Sequence, residues 1–311
     1  MSFKTPILFI VFNRPDTTSR VFDEIRKIKP SKLYIVADGP RIDKIGEKER
    51  CEEVRNIIDK VDWDCEVFKN YSDINLGCKK RVSSGIDWFF ENVEEGIILE
   101  DDCLPSQSFF YYCQELLEKY KDNDQIAVIS GNNFNLKKIG EGDYYFSRIP
   151  HIWGWATWRR SWKNYDINMH NYPSFRKEKN INKIWSNKRI QKYWTYIFDE
   201  VYKNNISTWD YQLSFSVFLN NKLCICPNTN LVSNIGFGES FTNTLILDKK
   251  VAELNRGEIS LPLIHPEKIE YNEDNNKQIY KSYLKFFEIK KFLKFIGIFK
   301  IIRNTYLYIK K

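Results

Sequence analysis

Residues 96–112, Gly-Ile-Ile-Leu-Glu-Asp-Asp-Cys-Leu-Pro-Ser-Gln-Ser-Phe-Phe-Tyr-Tyr, constrain the fold more than any other segment. Ile97, Ile98 and Leu99 form a short apolar run behind Gly96, the pattern of a strand buried on both faces of a parallel sheet. The run stops at Glu100-Asp101-Asp102. Pro105 and Ser106 then open a helical pattern, with Phe109, Tyr112, Cys113, Leu116, Leu117 and Tyr120 recurring every three or four residues. Three carboxylates at the carboxyl end of a central strand repel one another unless water or a cation reaches them. Ligands of open α/β sheets bind beyond those strand ends, so the place suits a divalent metal. With 41 acids in 311 residues, a triplet also arises by chance as a solvated loop, and its position is what gives it weight.

The chain on either side repeats the alternation. Ile7 to Phe12 reads as a first strand, and Asn13-Arg14-Pro15-Asp16 turns into a helix carrying Val21, Phe22, Ile25 and Ile28. Leu33 to Val36 is a second strand that ends at Asp38, and a charged helix over about 47–60 leads to a third near Cys65 to Phe68. Asn75-Leu76-Gly77 precedes Lys79, Lys80 and Arg81, three cations at the start of a helix reaching about Asn92. Helix-start amides with cations hold phosphates, although a solvated basic face reads the same way. Gln125 to Ser130 gives another strand. The alternation predicts a mostly parallel α/β sheet with flanking helices. No GxxxxGK[ST] or GxGxxG occurs, so neither an ATPase nor a dinucleotide-binding fold of the usual kind is indicated.

Residues 153–162 then place Trp153, Trp155, Trp158 and Trp162 beside Arg159 and Arg160. Flat indole faces next to hydrogen-bonding groups suit sugar rings and suit a core corner equally. A helix over 187–202 is followed by Ser207-Thr208-Trp209-Asp210-Tyr211-Gln212, which opens another helix to Leu219. Asp210 in its first turn either balances the helix dipole or faces a ligand. Residues 224–226 read as a short strand, 230–244 as a Gly- and Asn-rich loop, and 246–280 as a polar connector.

Charge separates the body from the tail. The net charge is +7; residues 281–311 hold nine Lys or Arg against Glu288, a net of +8, leaving −1 for residues 1–280. A neutral body gives nucleic-acid binding no electrostatic support. The tail mixes its lysines with Phe and Ile but has no apolar run able to span a bilayer, so it reads as a basic amphipathic helical tail held at an anionic membrane surface or packed on the domain. Seven scattered cysteines without a CxxC pair fit reduced thiols in cytosol, and the seven-residue apolar run Pro6–Phe12 is too short for a signal sequence. The expected location is the cytoplasm, at the inner face of the membrane.

Pro6 to Pro15, Val36-Ala37-Asp38-Gly39-Pro40, Asn75-Leu76-Gly77, Ile98 to Asp102, Gly154 to Trp158, Trp209 to Gln212 and Asn230 to Gly238 recur together and in order in one family. On these motifs residues 5–245 resemble the GT-A glycosyltransferases, most closely bacterial HlpA-like nucleotide-diphospho-sugar transferases. They are also similar to the N-acetylglucosaminyltransferase that initiates complex N-glycans. The resemblance implies the Rossmann-like GT-A fold, with a nucleotide-sugar-binding half over 1–130, an acceptor-binding half over 131–245, and the connector and tail over 246–311.

It further implies a metal-dependent, inverting transfer of a sugar from a nucleoside-diphosphate donor, a UDP-sugar, to a glycan or lipid-linked acceptor in surface polysaccharide synthesis. Asp102 becomes the ligand of Mn²⁺ or Mg²⁺ within the acidic motif Glu100-Asp101-Asp102. Arg14 and the cations Lys79, Lys80 and Arg81 become donor-binding, Asp38 meets the uracil or ribose, and Asp210 is the general base. Trp153, Trp155, Trp158 and Trp209 are the candidate acceptor platform. Asn243 stands where the family pattern has a histidine. Two other readings stay open: a non-catalytic sugar- or membrane-binding relative, and a sugar nucleotidyltransferase, which this chain fits less well without a Gly-rich N-terminal loop.

Overall fold

The alternation of side chains along the first strand sets the layers of the protein. In the computed structural model Ile7, Phe9 and Val11 pack into the core on one side of the sheet, and Leu8 and Ile10 into the core on the other. The structure describes residues 3–135, 137–236, 254–277, 279–281, 284, 287 and 288. Asn243 and nearly all of the basic tail lie outside them.

In chain order the first half comprises Ile7–Val11 (β1), Pro15–Ile28 (α1), Lys32–Ala37 (β2), Glu47–Ile58 (α2), Glu66–Tyr71 (β3), Cys78–Asn92 (α3), Glu95–Glu100 (β4), Cys103–Pro105 (β5), Gln107–Tyr120 (α4) and Ile126–Ser130 (β6). The second half adds Tyr144–Ser147 (β7), Trp155–Trp158 (β8), Arg159–Trp162 (α5), Tyr172–Lys177 (α6), Ile181–Ile184 (α7), Lys188–Tyr202 (α8), Asp210–Leu219 (α9), Leu223–Pro227 (β9) and Val232–Asn234 (β10). Eight strands form one sheet in the order β3-β2-β1-β4-β8-β6-β9-β7, while β5 and β10 pair separately. β1, β2, β3 and β4 are mutually parallel, β6 is parallel to β9, and β8 and β7 run against their neighbours. This is the mostly parallel, Rossmann-like GT-A architecture expected, with α1, α2 and α4 covering one face and α3 and α6 to α9 the other. The sheet is continuous through residue 130.

Several local expectations shift. The third strand runs to Tyr71 rather than Phe68, as a half-exposed edge strand whose polar alternation hides its length. The strands β7 and β5 had no sequence signal, since each is only three or four residues long and forms by pairing with β9 and β10 far along the chain. The tryptophan segment is a central antiparallel strand: β8 is inserted between β4 and β6, with Trp155 opposite Ile98 and Ser130. Gly154, at φ +71°, makes the turn into it, and a Cβ there would meet Val232 at 2.8 Å.

The segment read as a loose connector is a belt. Glu258 accepts from the backbone N–H groups of Gln107 (3.3 Å) and Ser108 (2.9 Å), satisfying the open amides of the α4 N-terminus from 150 residues away. Arg256 reaches Glu24 on α1 at 2.9 Å, and Glu115 accepts from the Leu263 N–H at 3.1 Å. These long-range bonds hold the belt against α1 and α4.

Glu47 is the other buried anchor. It is fully enclosed at the start of α2, where Arg41 and Asn13 surround it: Asn13 Nδ2 donates at 2.8 Å and the Arg41 backbone N–H at 2.7 Å. The Arg41 guanidinium holds its carboxyl down to about 2 despite burial. A depressed carboxyl stabilises the fold above its unfolded value near 4.5, and that contribution disappears as pH falls from 4.5 through about 2. Because the Arg41 side chain is 40% exposed, solvent screening reduces the effect to about 1–3 kcal/mol. Glu47→Gln should therefore lower stability by that amount in urea unfolding at pH 7, and the gap to the parent should close steadily below pH 4.5. A gap independent of pH would refute the ionic account.

Candidate active site

The strand order changes direction at β1, whose successor β2 lies on one side and β4 on the other, so the carboxyl ends of β1 and β4 bound the crevice where open sheets place ligands. From β1 come Phe12, Asn13 and Arg14, and from β4 come Glu100, Asp101 and Asp102. They meet directly. Arg14 Nη1 donates to Asp102 Oδ2 at 2.8 Å and lies 3.8 Å from Asp101 Oδ1, while the Phe12 N–H donates to Asp101 Oδ2 at 3.2 Å.

A third segment closes over this pair. β10 runs antiparallel to β5, placing Asn234 opposite Cys103, and the Ile235 N–H donates to the Asp102 carbonyl at 2.8 Å. The backbone of Gly236 then lies against the Asp102 carboxylate: a Cβ on that residue would stand 2.3 Å from Oδ2. The Asn234-Ile235-Gly236 motif thus requires glycine for close approach to the acid.

Asp210 joins the same group from α9, 108 residues after Asp102. Its charge acts on Glu100, and it acts again on the thiol of Cys78 in the first turn of α3. Thr208 donates its hydroxyl to Asp210 Oδ1, and the Tyr165 hydroxyl, bonded to the Trp209 carbonyl at 3.1 Å, is a further neighbour. Burial raises Asp210 above the ordinary carboxylate range. Glu100 is pushed well up by burial and by Asp102, Asp101 and Asp210, and Asp101 up to about 7 by burial and Asp102 against the pull of Arg14. Surrounding protein and the charges of Glu100, Asp210, Asp102 and Asp38 push the Cys78 thiol up, although its side chain is exposed. The crevice therefore holds more carboxyl groups than its own cations pair, and their raised values show that ionising all of them together is costly. Among the described residues no three His, Cys, Asp or Glu side chains form a group able to hold a metal by themselves.

The other candidates are placed differently. Asp38 is buried, with Oδ1 accepting from the Gly39 (3.0 Å) and Leu76 (2.8 Å) N–H groups and Oδ2 from Gly77 (3.0 Å). It ties the β2 end to the turn before α3, so its carboxylate shapes the crevice wall. Arg81 is buried and spans from Ala37 O (3.1 Å) to Asn70, locking the ends of β2 and β3; a guanidinium used this way is not available to a phosphate. Lys79 bonds Asn204 Oδ1 at 3.2 Å and Lys80 is exposed, so the basic trio is not one anion cradle.

Three of the four acceptor tryptophans are core residues. Trp155 and Trp209 are almost fully buried and stack on each other at 5.8 Å between centroids. Trp158 is buried too, with Nε1 bonded to Leu117 O at 3.3 Å and Arg160 over its ring. An inserted central strand has no solvent face, which encloses Trp155 and Trp158, and Trp209, just before α9, is enclosed by stacking on Trp155. Trp153 alone of the four keeps partial exposure, at the sheet's carboxyl edge against Phe134.

No family model matches the chain, and no curated protein matches it in sequence. Among solved structures the chain is similar to an apo-UDP-glucose pyrophosphorylase (11% identity, TM-score 0.39, covering 76% of this chain and 94% of that one). Mouse xyloside xylosyltransferase 1 is matched at 8% identity and TM-score 0.35 over 69% of this chain and 81% of that one. HddC from Yersinia pseudotuberculosis is matched at 8% and 0.32 over 50% and 77%. Likeness at this level leaves the reaction to be argued from the site.

Gly236 and Asp102 form a checkable pair. Gly236→Ala should cost about 1–3 kcal/mol through overpacking. In an Asp102→Gly background, where the carboxylate is gone, the same change should cost much less. Equal costs in both backgrounds, measured by thermal or urea unfolding, would show that the contact is not what restricts position 236.

Proposed function

We propose that the chain is a glycosyltransferase that moves a sugar from a nucleoside-diphosphate donor to a hydroxyl of a glycan or lipid-linked acceptor, with inversion at the anomeric carbon. What supports this reading is the meeting of Glu100, Asp101, Asp102 and Arg14 at the sheet's switch point, with Asp210 close enough for its charge to act on Glu100. Such a transfer needs two things: charge neutralised on a departing diphosphate and a base beside the acceptor hydroxyl. Asp102, one-fifth exposed and paired with Arg14, fits a Mn²⁺ or Mg²⁺ ion that takes its other ligands from the diphosphate and water. The excess of carboxylates over cations supports that fit, since a bound cation relieves it. When bound, the ion supplies charge stabilisation to the leaving diphosphate. Arg14 turns from its carboxylate partners toward the same phosphates, Glu100 and Asp101 hold the loop, and Asp210 takes the acceptor proton. With a base and no second nucleophile assigned opposite it, a single displacement is the simplest course.

The raised carboxyl of Asp210 sets the pH behaviour. It must be ionised to accept a proton, so turnover should fall on the acid side with an inflection above the usual carboxylate value of about 3.9. Asp210→Asn should reduce turnover by about 10² to 10⁴ while the donor dissociation constant hardly moves. Asp102→Ala should abolish the Mn²⁺-dependent thermal shift given by nucleotide sugars. Release of nucleoside diphosphate from a panel of UDP-, GDP- and CMP-linked sugars, with and without Mn²⁺, measures all three, and near-normal turnover in Asp210→Asn would sink the assignment.

A further inference from the structure

The near-neutral charge of residues 1–280 conceals a strong local imbalance. Residues 172–192 contain Arg176, Lys177, Lys179, Lys183, Lys188, Arg189 and Lys192 against the single acid Glu178, a net of +6, so the rest of the chain outside the tail carries −7. The structure puts these cations on α6, the turn after it, α7 and the first turns of α8, and all seven are exposed. Only Arg176 has a carboxylate partner, Asp199 at 3.3 Å; among the described residues no ion pair engages Lys179, Arg189 or Lys192.

These helices enclose a cavity of about 610 Å³. Phe175, Phe198 and Phe287 contribute apolar surface to it, and Lys179, Arg189 and Lys192 stand at its wall. Asp199 and Glu288 line it too, against four cations counting Arg176, and an apolar recess with that cationic excess fits an anionic amphiphile, whose phosphate meets the cations and whose hydrocarbon meets the rings. Phe287 belongs to the root of the basic tail: its ring packs at 5.7 Å on Tyr193 and 5.1 Å on Tyr196 of α8, and Tyr280 packs on Trp185 at 5.3 Å. Two basic stretches about ninety residues apart in the chain, +6 and +8, therefore start from one surface.

We propose that the α6–α8 face is itself a docking surface for the anionic side of a lipid bilayer, with the cavity receiving the head group of one acidic phospholipid. This goes beyond attachment by the tail: the folded body sets the orientation. α8 ends beside the crevice, because Lys79 of α3 bonds Asn204 just past its last turn. Its 15 residues span roughly 22 Å at about 1.5 Å each, so a bilayer touching Arg189 and Lys192 lies roughly one helix length from the Lys79–Asn204 contact.

The test uses the full chain in co-sedimentation with phosphatidylcholine vesicles, with and without phosphatidylglycerol. Wild-type protein should bind only the acidic vesicles and weaken with salt. The triple variant Lys179→Gln, Arg189→Gln, Lys192→Gln should bind them roughly a hundredfold more weakly with the tail intact, from the contribution of each basic residue near an anionic surface. Its melting temperature should stay unchanged, since the three side chains are solvent-exposed. A second full-length variant, with Lys290, Lys291, Lys294 and Lys300 changed to Gln, should keep measurable acidic-vesicle binding. Parental binding by the triple variant, or complete loss in the tail variant, would assign docking to the tail and overturn the proposal. Inorganic phosphate should displace the protein no better than chloride at equal ionic strength; selective displacement by phosphate would mark a soluble-anion site and also overturn it.

Discussion

Mutual repulsion among carboxylates at the end of β4 is the constraint on which the rest of the site depends. Glu100, Asp101, Asp102 and Asp210 share one partly enclosed crevice, and the first three follow one another along the chain. Such a group persists in a folded protein only when surrounding structure holds it and positive charge offsets it. Arg14, delivered by the neighbouring strand, is the nearest offset, and the Phe12 N–H is the second. Burial and repulsion among these carboxyls together raise Glu100 and Asp101 above the ordinary carboxylate range.

Holding that group takes the whole chain. β10 closes over Asp102, Glu47 fixes the loop that carries Arg14, and the belt at 254–264 caps α4, the helix that follows the acidic strand. Each clamp is a buried carboxylate or backbone amide bonded across tens of residues, where the low dielectric strengthens a satisfied bond and penalises a broken one. The insertion of antiparallel β8 beside β4 serves the same end, because it fills the sheet beneath the acids with enclosed tryptophans. The helical layer of α6 to α8 extends from the crevice and gives the protein a surface of opposite charge. Carboxyl groups gather at the end of β4 and cations on the α6–α8 flank, so opposite charges occupy separate regions of the protein.

Local pattern carried much of this in advance. The strand-then-acid sequence at 97–102, the Pro15 helix start and the helix beginning at Asp210 were readable because each depends on neighbours within a few positions: periodicity, capping and turn chemistry. What depended on distant partners was not readable. Nothing near Glu258 in sequence announces its role, and Glu47, beyond its local partner Arg41, meets Asn13 from the end of β1; Asn13 and the amides of Gln107 and Ser108 are partners selected by folding. Arg81 and the tryptophans show the converse. Their chemistry suited phosphate and sugar, yet burial decided otherwise: once Arg81 spans β2 and β3 and β8 enters mid-sheet, those groups serve the core.

The sequence by itself therefore determined a parallel α/β sheet, an acidic end to its central strand, a basic tail and the residue types available for chemistry, because hydrophobic periodicity and charge are properties of the chain. Only the tertiary structure decided which of these meet. It brought Arg14 to Asp102 and Asp210 within reach of Glu100, sent Asp38 into the wall, enclosed Trp155, Trp158 and Trp209, and gathered the cations of 172–192 beside the tail's root. The physical reason is that proximity and desolvation set what a charged or aromatic group can do, and both arise from contacts between residues the chain keeps far apart.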